Sequence, residues 1–176
     1  MSPPRLFTRS TRRGADVVSK RLSNPLAPIV EQALDEAVSL GSSTVEAEHL
    51  LLALAVRDAK SASALWGVGL DHATIIRILD AQTAASLRVV GVTAFVSATA
   101  RPLAVKRGRL RLGASTKRAL QMAAMLAHEE RSRSTTGRHL LMALLRPAHG
   151  TVPRALALAG VDAELLRTAI APGRAP

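Results

Sequence analysis

The chain has 176 residues, of which 48% are apolar and 21% are charged. These are globular proportions, and the lack of cysteine excludes disulfides, thiolate metal sites and cysteine nucleophiles. With 24 basic and 13 acidic residues the net charge is +11, which by itself favours an acidic partner: nucleic acid, anionic lipid or an acidic protein face.

The charge is distributed unevenly along the chain. Residues 1–23 carry a net +5, residues 24–85 a net −5, residues 86–118 a net +8 and residues 119–176 a net +3. Residues 1–23 are predicted to be a basic flexible tail without the apolar core of a signal peptide, although an organellar transit peptide has a similar composition. We therefore expect a cytoplasmic bacterial protein, or an organellar one if the tail is a transit peptide. No apolar run approaches the 18 residues of a membrane-spanning helix.

Residues 24–80 carry the pattern of a helical unit. Apolar residues recur at helical spacing over 26–40, and Gly41 is placed to end this first helix. Ser43 and Glu46 have the spacing of a capping box, which predicts the start of a second helix.

The rest of this unit contains three more predicted helical elements. The body of the second helix, HLLLALAV at 49–56, is apolar on all sides and is therefore expected at the centre of the fold. A short third helix is predicted around 62–66, and Asp71 is placed to cap a fourth.

The same order of elements returns about 90 residues later. A helix at 117–130, a cap at Thr135 or Thr136, the segment HLLMALL and a last helix capped by Asp162 follow one another. Shifted by 90 or 91 positions, twelve residues of the first unit meet identical ones. The sequence thus predicts an all-α fold of two tandem four-helix repeats packed about a pseudo-twofold axis. The second repeat spans 114–171 and ends in a short tail at 172–176.

Residues 81–113 separate the repeats and differ from both in composition. Their first part is β-branched and the second is basic and punctuated by glycine. A short strand pair is conceivable in the first part, but a loop fits better because no other strands are predicted. We interpret the segment as a basic connector.

Two motifs resemble a known family. LGSSTVEAEHLLLAL at 40–54 is similar to the signature LGHxxIGTEHLLLGL of the Clp N-terminal (Clp R) repeat, and RSRSTTGRHLLMALL at 131–145 is a diverged second copy. The resemblance covers roughly 24–171. It implies a pseudo-dimeric, non-catalytic domain that binds substrates and adaptors of Clp-type AAA+ unfoldases, and no Walker A motif occurs in the sequence. The chain resembles small freestanding Clp-N proteins that lack the ATPase modules.

The resemblance also implies candidate site residues. Some family members bind phosphoarginine through the Glu of the GTEH motif, which Glu48 matches, with Glu46 beside it. The equivalent residue in the second copy is Arg138, so at most one such site is expected. The alternative role of Glu48 is a first-turn acid that favours the helix dipole. Family members also present an apolar groove between the repeats, for which Phe7 and Leu112 are the candidates.

Other polar residues give no sign of catalysis. His49 and His139 lack the accompanying ligands of a metal site, and we expect each to be a buried histidine hydrogen-bonded to the preceding loop. Glu129 and Glu130, next to His128, are interpreted as a solvated helix end. No catalytic residue, metal or cofactor is assigned, and the oligomeric state is left open.

Two functional hypotheses follow from the sequence. The leading one is a non-enzymatic module that presents substrates to a Clp unfoldase or competes with the unfoldase for them. The alternative is nucleic-acid binding or regulation through the basic tail and connector, against which stand the acidic first repeat and the lack of a recognition helix. Membrane-surface binding by the tail has no strong apolar face to support it.

Overall fold

Eight α-helices and two short strands make up the residues that the computed structural model describes, which are 24–89, 110–146 and 150–171. In the first half, a 3₁₀ turn at Asn24–Leu26 leads into α1 (Ala27–Ser39), β1 (Thr44–Val45), α2 (Ala47–Arg57), α3 (Ala59–Gly67) and α4 (His72–Val89). In the second half, β2 (Arg111–Leu112) precedes α5 (Ala114–Glu129), α6 (Gly137–Leu145), α7 (Thr151–Leu158) and α8 (Ala163–Ile170). The all-α fold with two successive four-helix units is thereby confirmed.

The first helix of each repeat ends in the same hydrogen-bonded turn. The N–H of Gly41 donates to Val38 O and that of Ser42 to Ala37 O, at 3.0 and 2.8 Å. Ninety residues later the N–H groups of Arg131 and Ser132 make the equivalent bonds, at 2.9 and 2.8 Å. The turn needs a positive φ, which is 69° at Gly41 and 51° at Arg131. The backbone repeat is therefore kept even where the glycine is not.

The two apolar helices lie at the centre of the fold, as their sequences predict. Leu50–Leu54 of α2 have no exposed surface, and Leu140 and Leu141 of α6 have none either. Helix α2 packs on α6, while α3 packs on α8 and α4 packs on α7. These reciprocal contacts are those of two repeats related by a pseudo-twofold axis.

Two short strands join the repeats beside this core. β1 and β2 pair in parallel, with Thr44 opposite Arg111 and Val45 opposite Leu112. The carbonyl of Val45 also accepts hydrogen bonds from the N–H of Gly113 and the hydroxyl of Thr116, at 2.8 and 2.7 Å. The start of the second repeat is therefore held against the loop that precedes α2.

The connector differs from its prediction at both ends. Helix α4 continues to Val89, so residues 81–89 are helical rather than a loop. At the other end, Arg111 and Leu112 form a strand because the β1 backbone supplies a partner that local sequence patterns do not reveal. The remainder of the connector, 90–109, lies outside the described residues, as do the tails at 1–23 and 172–176.

The predicted capping box of α2 is wrong by one turn. Ser43 lies in the loop before β1, and the residue that caps α2 is Glu46, paired with His49 three positions later. The Ser43–Glu46 spacing fits the motif, but Thr44 and Val45 form strand β1, so the helix begins only after them. At the second copy the cap is Thr136, one of the two predicted residues.

Candidate functional site

The N-terminus of α2 is built around a buried histidine. His49 is 3% exposed, and its Nδ1 accepts a hydrogen bond of 2.9 Å from the backbone N–H of Glu46. The expectation of a buried histidine that is hydrogen-bonded to the preceding loop is thereby confirmed, with the histidine as the acceptor. Because Nδ1 is an acceptor, the ring is neutral with its proton on Nε2. Burial lowers the pKa of His49 below its ordinary 6.5, against an opposing influence of the nearby Glu48 carboxylate.

The second repeat repeats this arrangement and adds an acid to it. His139 is 2% exposed and accepts the N–H of Thr136 at 3.0 Å, while its Nε2 lies 3.0 Å from Glu130 Oε2. Glu130 also pairs with Arg138, whose hydrogen bonds lower the pKa of this carboxyl group. Glu130, interpreted from the sequence as solvated beside His128, is exposed at the end of α5 and also contacts His139 and Arg138. Arg138 therefore belongs to a local cluster that holds the start of α6.

The structure separates the two candidate glutamates of the first repeat. The hydroxyl of Ser115 donates to the Glu46 carboxylate and accepts the N–H of Ala47 at 2.8 Å. A Cβ atom at Gly113 would overlap the same carboxylate, so Glu46 is packed against the start of α5. Glu48 is half-buried on the first turn of α2 and makes no hydrogen bond or ion pair with any residue that the structure describes. Of the two carboxylates, that of Glu48 is the one that no described residue engages by a hydrogen bond or ion pair.

Of the two predicted groove residues, the structure describes Leu112. Leu112 lies in β2, half-buried against the hydrophobic core and opposite Val45. Phe7 lies outside the described residues.

A different apolar cleft lies within the second repeat, between α5, α6 and α7. It has a volume of about 540 Å³ and is bordered by the N-terminal residue of α2, Ala47. Its apolar lining consists of Ala119, Met122, Ala143, Leu144, Val152 and Pro153. A cleft of this size is within the usual range of ligand sites.

Three arginines surround this cleft, which we call the arginine cleft. Arg118 lies on α5, Arg146 follows α6 and Arg154 lies on α7, and the described lining contains no acidic residue. The Nη1 of Arg146 lies 3.6 Å from the sulfur of Met122, and the Nε of Arg154 lies 3.3 Å from the carbonyl oxygen of Gly150. The sequence did not reveal this site because the three arginines are up to 36 positions apart, and only the packing of α5, α6 and α7 brings them to one cleft.

A larger depression of about 730 Å³ lies between α3 and α8. Its lining is dominated by small side chains, with Lys60 and Arg138 as the charged members. Since Arg138 is already paired with Glu130, this depression offers less unsatisfied charge than the arginine cleft.

Comparisons with known proteins agree with this architecture. Residues 111–172 match the sequence model of the Clp repeat (R) N-terminal domain. This segment, which begins at β2 and runs through the second repeat, is thus similar to a Clp N-terminal repeat. Among solved structures, the fold resembles the N-terminal domain of the chaperone ClpD from Arabidopsis thaliana, with a TM-score of 0.61 and 21% identity over 87% of this chain and 94% of that one. It also resembles the Hsp104 N-terminal domain from Candida albicans, with a TM-score of 0.57 and 13% identity over 85% and 88% of the two chains. A comparison with curated protein sequences gave no match.

The Clp-N fold therefore extends over both repeats, although the sequence match covers the second one. In the described ranges, no helix is long and apolar enough to cross a membrane. Over the same residues, no three His, Asp or Glu side chains gather as ligands for a metal ion. What the described arrangement offers is an apolar cleft edged by three arginines and a half-buried Glu48 carboxylate on the first turn of α2.

Proposed function

We propose that this chain is a non-enzymatic protein-binding module of the Clp protein-quality-control system, which contacts a Clp unfoldase, its adaptors or its substrates. The observation that supports this most is the Clp-N fold over both repeats, in a sequence with no Walker A motif. Location in the bacterial cytoplasm is part of the proposal.

Such a module acts in one of two ways. As an adaptor it brings substrates to the unfoldase, and as a decoy it holds substrates or adaptors that the N-terminal domain of the unfoldase would otherwise bind. The test is the degradation rate of a fluorescent substrate by a reconstituted Clp unfoldase and protease as this chain is added. An adaptor raises the rate and a decoy lowers it. An unchanged rate with all substrates and adaptors tried would contradict the proposal.

The proposed ligands include phosphoarginine, and we assign its binding to Glu48. A carboxylate pairs well with a guanidinium group, and Glu48 is half-buried at the first turn of α2. We expect calorimetric titration with phosphoarginine to give one weak site in the wild type and none in Glu48→Gln. Arg138→Gln is the control at the equivalent position and should keep the site. Equal affinity for wild type and Glu48→Gln would remove phosphoarginine from the proposal.

The alternative function is nucleic-acid binding or regulation through the basic segments. Its support is the net +5 of residues 1–23 and the net +8 of residues 86–118. If it holds, the electrophoretic mobility of DNA shifts at about 50 mM salt and the affinity falls steeply as salt is added. The lack of a shift at low salt would remove this alternative without affecting the proposed Clp function.

A further inference from the structure

The arginine cleft combines an apolar floor with an unneutralised positive rim. Three separate elements bring Arg118, Arg146 and Arg154 to its edge, and each of these arginines is exposed. Within the described ranges none of the three forms an ion pair with a carboxylate. Arg146 contacts the sulfur atom of Met122 and Arg154 contacts the carbonyl oxygen of Gly150, neither of which neutralises a guanidinium. Among the described residues, the rim therefore carries positive charge that no carboxylate neutralises.

The first repeat shows that the fold does not need these arginines. With the repeats aligned by the 90- and 91-residue shifts, the positions of Arg118, Arg146 and Arg154 are taken by Pro28, Val56 and Ser63. The first repeat builds the same helices without them. The position of Met122, on the apolar floor, is taken by Gln32, whose side chain accepts a hydrogen bond of 2.9 Å from Arg57. The three rim arginines and the apolar floor residue Met122 therefore have no counterparts at the same positions of the first repeat.

The other segments of this chain are poorly suited to fill the cleft. Residues 1–23 and 90–109, which are not described, are both strongly basic in sequence. Like charges disfavour their contact with an arginine rim. A complementary occupant brings carboxylates for the rim and apolar side chains for the floor. Nucleic acid supplies negative charge but not apolar side chains, and none of the described lining residues is an aromatic that could stack on a base.

We propose that the arginine cleft docks a segment of a partner protein in which acidic and apolar residues alternate or lie close together. The apolar side chains enter between α5, α6 and α7, and the carboxylates pair with Arg146 and Arg154 at the mouth. This proposal rests on the proposed function for one point, that the ligand is a protein. It adds to that function the kind of partner sequence that binds and a binding site that is distinct from Glu48.

The test uses the full chain and two labelled peptides. In the probe peptide leucine alternates with glutamate over about ten residues, and in the control peptide glutamine replaces glutamate. Fluorescence anisotropy at low salt should show saturable binding of the acidic peptide, about tenfold tighter than that of the neutral peptide, with the difference shrinking as salt is added.

Matched variants use the residues of the first repeat. We expect the double variant Arg146→Val/Arg154→Ser to bind the acidic peptide about tenfold more weakly than the wild type does. Its affinity for the neutral peptide should stay within about twofold of the wild-type value. We expect Met122→Gln to lower the affinity for both peptides. Arg133→Ser removes an exposed arginine outside the cleft and should change neither affinity. Unchanged thermal unfolding confirms that each variant is folded.

Several outcomes would overturn the proposal. Equal affinity for the two peptides, or unchanged binding by the folded double variant, would show that the rim recognises no carboxylate. An oligonucleotide that binds more tightly than the peptide and is lost in the double variant would assign the cleft to nucleic acid. Self-association of the wild type that disappears in the double variant would assign it to a second copy. Peptide binding without any effect on substrate degradation by the Clp unfoldase and protease would contradict the proposed function, but it would support the proposal that the cleft binds acidic and apolar segments.

Discussion

Arg131 holds a backbone conformation that ordinary side chains avoid. Its φ of 51° is the left-handed value that Gly41 adopts at the equivalent turn of the first repeat. For a residue with a Cβ this conformation costs about 1–2 kcal/mol, because the Cβ approaches the carbonyl oxygen that follows it. The hydrogen bonds that close the turn hold Arg131 in place despite that cost.

We therefore predict that Arg131→Gly stabilises the protein. The relief of strain is partly offset by the greater freedom of glycine in the unfolded chain, which leaves a gain of about 0.5–1 kcal/mol. Urea unfolding measures the change. Arg133→Gly, two residues away and outside the left-handed region, is the matched control and should be neutral or destabilising. Loss of stability in Arg131→Gly would contradict the assignment of strain.

His49 makes the start of α2 sensitive to acid. Burial lowers its pKa below the ordinary 6.5, so below that pH the unfolded chain binds a proton that the folded chain resists. The stability contributed by the neutral ring is present above pH 6.5 and declines as the pH falls, by up to about 1.4 kcal/mol per pH unit. We expect urea unfolding at pH 7.5, 6.5 and 5.5 to show this decline.

The control for this prediction is His49→Gln. Glutamine at the third position of a helix can accept the N–H of the capping residue, as His49 does from Glu46, but it does not titrate. The variant should fold and lose less stability than the wild type between pH 7.5 and 5.5. Parallel pH profiles for the two proteins would exclude His49 as the source.

Single residues were predictable where their role is local. The buried histidines could be inferred from their place before an apolar helix, because a capping contact spans three residues of sequence. The role of Glu46 could not, since its hydroxyl partner Ser115 is 69 positions away. The same holds for Glu130, whose partners His139 and Arg138 lie across a turn that closes only in the folded chain.

At the scale of elements, the junction between β1, α2 and α5 depends on close approach. A side chain at position 113 would meet the Glu46 carboxylate, which hydrogen bonds from the Ser115 hydroxyl and from the first turn of α2 hold in place. We predict that Gly113→Ala destabilises the protein by about 1–3 kcal/mol, as overpacking generally does. The backbone of Gly113 is extended, with φ at −68°, which alanine adopts without strain. The expected loss of stability therefore comes from the contact with Glu46 and not from the backbone conformation.

A double-mutant cycle tests this explanation. Glu46→Ala alone is expected to cost about 1 kcal/mol through loss of the cap. In the double variant the space beside position 113 is free. Its loss of unfolding free energy should therefore be smaller than the sum of the two single losses, by about 1 kcal/mol or more. Thermal or urea unfolding of the four proteins gives the coupling. Simple additivity would show that Glu46 is not the group that excludes the alanine.

The central parts of the helices were more predictable than their ends. Helical spacing identified α1 and the fully apolar α2 and α6, because a buried face leaves a periodic pattern in sequence. The extension of α4 to Val89 and the pairing of β1 with β2 were missed. A strand of two residues has no periodicity, and its stability comes from a partner 67 positions away in the chain.

For the whole molecule, comparing the two repeats separates what the fold needs from what a ligand needs. The sequence match to the Clp repeat falls on residues 111–172, the copy whose signature motif we had described as diverged. That same copy carries Arg118, Arg146 and Arg154 around an apolar cleft, while the first repeat is net acidic. The net charge of +11 is therefore unevenly divided: the first repeat is net acidic, and the second carries the arginines of the cleft.

The packing of the two repeats also predicts that neither folds alone. Leu140 and Leu141 of α6 are fully buried, and α6 packs on α2 and α3 of the first repeat as well as on α5, α7 and α8 of its own. Without the first repeat much of this apolar surface would be in water, in a chain of about 60 residues that is marginal even with a complete core. We expect residues 110–171 alone to lack a cooperative thermal transition by circular dichroism, whereas residues 24–171 show one. Cooperative melting of the isolated second repeat would mean that α6 finds a sufficient core within its own four helices.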